Sequence, residues 1–216
     1  MTKKTKQWTH NELCQIAARW LKRPNSAGGP GCHIAFTETP SGWSGEVPDA
    51  IGFRATGWYD GAVVVEVKIS RSDFLADAKK PHRNGEVLGL GCWRYYMCPE
   101  GLIKPEELPE KWGLIYVTNR GGAKPIVGPT AVKHYGERQD LLDSMRFESD
   151  IQREQFILVK LLNRVADPEK LNLMLREANN RASRLAKDNE RLREQLRRSV
   201  PIDSPRGKRI LQEHLS

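Results

Sequence analysis

Apolar and polar positions recur along this chain with three different periods. In "THNELCQIAARWLKR", Leu13, Ile16, Ala17, Trp20 and Leu21 return at helical spacing. Thr9 precedes the run and Glu12 stands at its third helical position, which is the pattern of a capping box. Pro24 and the glycines of "NSAGGPG" end the helix. "CHIAFTE" then reads as a short strand. "DAIGFRATGWYDGAVVVEVKIS" reads as two strands joined at the Tyr59-Asp60-Gly61 turn. "SRSDFLADAKK" is a short helix that Ser70 or Ser72 can cap, with Phe74 and Leu75 facing inward. "CWRYYMC" and "WGLIYVT" are two further strands, separated by a proline-rich stretch. Mixing helices and strands in this order predicts an α/β domain, a mixed sheet flanked by helices, spanning residues 8–135 after a basic tail at 1–7.

From about Gly136 the pattern becomes purely helical. A connecting helix is expected over 136–166. Asp167 and Pro168 then suit the N-cap and first position of a new helix. Beyond them Leu171, Leu175, Ala178, Ala182, Leu185, Asn189, Leu192 and Leu196 follow one another in alternating steps of four and three. That is the a/d seam of a coiled coil, with Asn189 as its polar member. The expectation is a homodimer through residues 167–198, followed by a flexible tail at 199–216. An amphipathic helix folded back on the domain is the other reading of the same pattern.

Composition narrows the classes. The chain has 216 residues, of which 38% are apolar and 29% charged, enough for one packed core plus an extension. No run of about 18 apolar residues exists, so no membrane span or membrane partner is expected. The N-terminus lacks the apolar stretch of a signal peptide. Cys14, Cys32, Cys92 and Cys98 form no C-x-x-C pair and read as reduced, buried thiols of a cytoplasmic protein. A net charge of +8 favours an anionic partner such as nucleic acid.

Against this background "GAVVVEVKIS" poses a chemical question. Ala62, Val63, Val64, Val65 and Val67 call for burial, yet Glu66 and Lys68 interrupt them on one face of the strand. A buried ion pair contributes little stability, because desolvation offsets its attraction. A carboxylate there makes more sense as a cation ligand. Asp49 lies 17 residues upstream, at the start of the preceding strand, and antiparallel pairing brings it to the end that carries Glu66. Two carboxylates suit Mg²⁺ or Mn²⁺. Lys68 beside them can orient a water or stabilise developing charge. Glu12 and Glu46 are the candidates for one more ligand, Glu12 being equally a capping residue.

"PD" at Pro48-Asp49 followed by "EVK" at Glu66-Val67-Lys68 resembles the PD-(D/E)XK nuclease superfamily. The segment "EVKISRSDFLADAKKP" is similar to that of its MmcB-like DNA-repair group. The resemblance is close over residues 46–82 and loose over 10–120. It implies a restriction-endonuclease-like core and Mg²⁺- or Mn²⁺-dependent hydrolysis of DNA, in bacterial or phage DNA processing or repair. It also implies Asp49 and Glu66 as metal ligands, the Val67 backbone carbonyl facing the metal, and Lys68 as the catalytic lysine. Arg71, Lys79, Lys80 and Arg83 follow the strand and are the expected phosphate contacts. Trp93, Tyr95 and Tyr96 could stack on bases but as strand residues belong to a core. The alternative is a catalytically inactive DNA-binding or assembly protein that keeps a nuclease-like fold and dimerises through the coiled coil.

Overall fold

The computed structural model describes residues 6–43, 45–77, 88–164 and 167–199. The fold is mixed α/β. Its centre is a six-stranded sheet in chain order, β1 (Ile34–Thr37), β2 (Ala50–Arg54), β3 (Gly61–Val67), β4 (Trp93–Pro99), β5 (Trp112–Val117) and β6 (Ala123–Val127). The first two neighbour pairs, β1 with β2 and β2 with β3, are antiparallel. β3 with β4 and β4 with β5 are parallel, and β5 with β6 is antiparallel again.

Helix α1 (His10–Leu21) starts at Thr9, whose hydroxyl accepts the Glu12 N–H while the Glu12 carboxylate accepts the Thr9 N–H. This is the capping box expected from the sequence. Its apolar stripe of Leu13, Ile16, Ala17, Trp20 and Leu21 is buried with Val63, Val65, Val67, Tyr95 and Met97. The strand period of two sends the intervening residues to the opposite face. There Tyr96, Cys98 and Leu114 form a second cluster with Trp112 and with Phe74 of helix α2 (Arg71–Asp77). The aromatic residues of β4 are therefore core: Trp93, Tyr95 and Tyr96 are all buried. Gly91, at φ +81° against the Val64 side chain, lets the chain enter β4 where a Cβ would collide.

Four details depart from expectation. Leu75 is exposed, because a helix of this length turns Phe74 and Asp77, three apart, toward the sheet and leaves Leu75 outside. Strand β6 went unforeseen: its "AKPIV" carries a proline that only an edge strand accommodates. The stretch expected as one connecting helix is two, α3 (Tyr135–Ser144) and α4 (Ile151–Arg164). The break between them is packed. Leu142 lies in the cluster on the α1 face and Phe147 against the cluster on the other, so the chain must cross the sheet between them. The Phe147 N–H donates to the Cys92 carbonyl at 2.8 Å, and the Arg94 guanidinium lies 4.3 Å from the Phe147 ring centroid. Finally, the first compact unit is not closed at 135 but runs to Lys160, with Ile157 of α4 fully buried.

The second unit begins at Leu161 and contains α5 (Pro168–Ser199). The Asp167 side chain accepts the Lys170 N–H at 2.9 Å, as expected of an N-cap. No helix among the described residues is long and apolar enough to cross a membrane. All four cysteines are free and buried.

Candidate active site

The antiparallel register of β2 and β3 sets Ala50 opposite Val65. One step further along the hairpin, Asp49 stands across from Glu66. Asp49 is fixed at that position by its own carboxylate. Oδ2 accepts the Val67 N–H at 2.7 Å, and Oδ1 lies 3.2 Å from His10 Nε2. Val67 ends β3, so its carbonyl belongs to the same end of the sheet. The pairing with β4 continues one residue beyond the strand, through a 2.9 Å bond from the Lys68 N–H to the Met97 carbonyl. That bond holds the backbone of Lys68 in register.

Glu66 and Lys68 point to the α2 face of the sheet. Both are 3% exposed. The Lys68 ammonium lies 3.2 Å from Asp77 Oδ1, 3.6 Å from Glu66 Oε2 and 4.0 Å from Asp73 Oδ1. Asp77 is itself buried, and its other oxygen accepts the Tyr96 hydroxyl at 2.7 Å. Three carboxylates thus lie within 4.0 Å of the buried amine and offset the cost of its burial. The arrangement can present a fixed positive charge beside the Asp49–Glu66 end of the hairpin.

The remaining candidates lie elsewhere or are otherwise engaged. The Glu12 carboxylate is held by the Thr9 backbone and hydroxyl and by Lys6, 3.0 Å away. The Thr9 amide and Lys6 together lower its pKa to about 2. Of its two possible roles, the geometry displays the capping one. Glu46 accepts the Leu90 N–H at 3.0 Å and so ties the loop before β2 to the approach to β4. The Arg71 guanidinium grips Glu107 with two bonds of 2.7 and 2.6 Å and also reaches the Leu102 carbonyl. It staples α2 to the β4–β5 connection. Lys79, Lys80 and Arg83 lie outside the described residues.

Two further features escaped the sequence. Asp77 looks like an ordinary polar residue of a solvated helix, and only its spacing of three from Phe74 hints that it faces inward. On the other side of Asp49, His10 and Cys14 occupy successive turns of α1, with His10 Nδ1 3.5 Å from Cys14 Sγ. Their donor atoms and a carboxylate oxygen of Asp49 all lie within 4.8 Å of one another, the one such cluster of three among the described residues. Burial, followed by the charge of Asp49, pushes the Cys14 thiol up to about 12. Comparison with protein-family models, with curated proteins and with solved structures returns no match for the chain.

Proposed function

We propose that the first unit is a restriction-endonuclease-like core of the PD-(D/E)XK type that hydrolyses phosphodiester bonds in DNA, and that α5 pairs two copies of the chain. One observation carries the reading: Asp49 across from Glu66 at one end of the β2–β3 hairpin, with buried Lys68 two residues further on. A β-hairpin continued by parallel strands, with α1 and α2 on opposite faces, supports the same core.

The donor types suit a hard cation, with Asp49 turned in this structure to His10 and the Val67 N–H and Glu66 turned to Lys68. Asp49 and Glu66 offer carboxylate oxygens, and the Val67 carbonyl at the same sheet end offers a third; such donors suit Mg²⁺ or Mn²⁺. When bound, the cation neutralises charge on the phosphate and makes a water easier to deprotonate. The chain's own residues do the rest. The Val67 N–H orients Asp49 before any ligand arrives. Asp77 and Tyr96 hold Lys68 in one position, so no reorganisation is needed when charge builds on the phosphate oxygen.

The test is a panel of single- and double-stranded DNA and RNA, incubated with Mg²⁺ or Mn²⁺. Wild type should cleave DNA, and Asp49→Ala, Glu66→Ala and Lys68→Ala should not. Cleavage retained in the Asp49 and Glu66 variants sinks the assignment. Salt-dependent DNA binding with no cleavage under either metal points instead to a nuclease-like binding protein.

A further inference from the structure

We infer that His10, Cys14 and Asp49 form a second cation site, one for a thiophilic divalent metal of the zinc type. The three residues come from two elements. His10 and Cys14 are four apart on α1 and therefore on one face of the helix. The capping box fixes where that helix starts, and so where His10 points. Asp49 is brought to them from the start of β2.

The spacing suits one tetrahedral ion. Metal–nitrogen and metal–oxygen bonds of about 2.1 Å and a metal–sulfur bond of about 2.3 Å put donors about 3.3–3.6 Å apart. Here His10 Nε2 is 3.2 Å from Asp49 Oδ1 and 4.0 Å from Cys14 Sγ. The sulfur has to approach the other two donors, from 4.0 Å at His10 Nε2 and from within 4.8 Å at Asp49. Ligating carboxylates are commonly anchored through their other oxygen, and Asp49 Oδ2 is anchored by the Val67 N–H.

The ligand types also choose the metal. Sulfur with imidazole favours Zn²⁺ or Co²⁺ and disfavours Mg²⁺. Three protein ligands leave the fourth position to water, and the site has an opening. The His10 side chain is 38% exposed and that of Asp49 18%, whereas Cys14 is fully buried beneath them. Binding exchanges the Cys14 thiol proton, released to solvent, for the metal–sulfur bond. Affinity therefore rises with pH.

Asp49 belongs to both this site and the hard-cation site proposed above. On the nuclease reading, zinc at His10, Cys14 and Asp49 withdraws a ligand from Mg²⁺ and inhibits cleavage. The binding itself does not depend on that reading.

The experiment titrates Co²⁺ into the metal-free full-length chain and follows absorption. Expected are the strong visible bands of four-coordinate Co²⁺ and a near-ultraviolet thiolate band, saturating at one equivalent. Zn²⁺ should displace them and excess Mg²⁺ should not. Cys14→Ser should remove the thiolate band, and His10→Ala, at an exposed helix start, should remove the one-equivalent endpoint. Folding of both is checked by circular dichroism. Absence of the thiolate band in wild type, its survival in Cys14→Ser, or an unchanged endpoint in His10→Ala overturns the site. Cleavage assays separate the two proposals. Intact Co²⁺ binding with no cleavage under any metal discards the nuclease alone. Mg²⁺-dependent cleavage with no Co²⁺ signature discards this site alone. With both present, Zn²⁺ should inhibit wild type and spare Cys14→Ser.

Discussion

The Lys68 ammonium lies 3.2 Å from the Asp77 carboxylate, with both side chains almost wholly buried and the Tyr96 hydroxyl bonded to the far oxygen of Asp77. One residue extends β3 and the other ends α2, so the contact joins the proposed catalytic lysine to the helix that covers it. Asp77→Ala removes the nearest of three carboxylates around buried Lys68 and leaves Glu66 at 3.6 Å, so it should destabilise the chain toward the lower end of the about 3–5 kcal/mol that breaking a buried pair costs. Tyr96→Phe, which deletes only the hydrogen bond to a charged acceptor, should cost about 1.5–3 kcal/mol. Urea denaturation of the two variants checks the order. Equal midpoints for wild type and Asp77→Ala would show that the pair is not formed in solution.

Asp49→Asn separates geometry from charge. An asparagine oxygen can still accept the Val67 N–H, so the hairpin end should keep its shape. The variant should melt within about 1 kcal/mol of wild type. It should nevertheless lose Mg²⁺-dependent cleavage, because a neutral amide is a poor ligand for a hard cation. Full cleavage by Asp49→Asn would mean that the carboxylate acts only as a hydrogen-bond acceptor.

Legibility of the sequence followed the range of the interactions. The capping box at Thr9 and Glu12 and the hairpin that opposes Asp49 to Glu66 depend on near neighbours, and both could be read from spacing. Asp77 could not, since its burial depends on how α2 lies over Tyr96. The meeting of His10 and Cys14 with Asp49 depends on the docking of α1 against the start of β2, which no local pattern encodes. Strand β6 was hidden by Pro125, which local propensity reads as a break and an edge position tolerates. The interruption between α3 and α4 was hidden for a similar reason. "SMRFESD" has acceptable helical residues, and only the crossing of the sheet forces them out of a helix.

Acid should weaken the start of α1. Contacts with the Thr9 backbone, Lys6 and the Thr9 hydroxyl lower the Glu12 pKa from 4.5 to about 2. A group whose folded pKa is depressed adds stability above its unfolded pKa and loses it as pH falls through the folded one. The advantage of wild type over Glu12→Gln should thus be present above about pH 4.5, shrink on acidification and be lost as pH falls through about 2. Denaturation midpoints across that range measure it. The same variant should retain Mg²⁺-dependent cleavage, since the Glu12 carboxylate is committed to the helix cap; loss of cleavage in a folded Glu12→Gln would return it to the list of metal ligands.

The last prediction concerns α5. Leu171, Leu175, Leu185 and Leu192 are between 44% and 57% exposed, an apolar stripe at heptad spacing with little cover from its own chain. The alternation of steps places Leu175, Ala182 and Asn189 at a positions, with Leu171, Ala178, Leu185 and Leu192 at d. In a parallel, in-register pair, a faces a, so Asn189 meets the same residue of the second copy and the two amides satisfy each other. An antiparallel pair would oppose it to an apolar d residue, Ala178 at full overlap, which cannot bond the amide. The flanking charges agree: Asp188 at g and Arg193 at the following e attract across a parallel interface. The chain should therefore be a dimer by light scattering, and a version ending at Val165 should be a monomer. Asn189→Leu should raise the melting temperature of the dimer while loosening its choice of partner number and orientation. A cysteine at position 189 should oxidise readily to a covalent dimer, as the parallel register alone brings those positions together. An unchanged mass on truncation, or failure of that crosslink in a chain that remains dimeric, would reject the parallel seam.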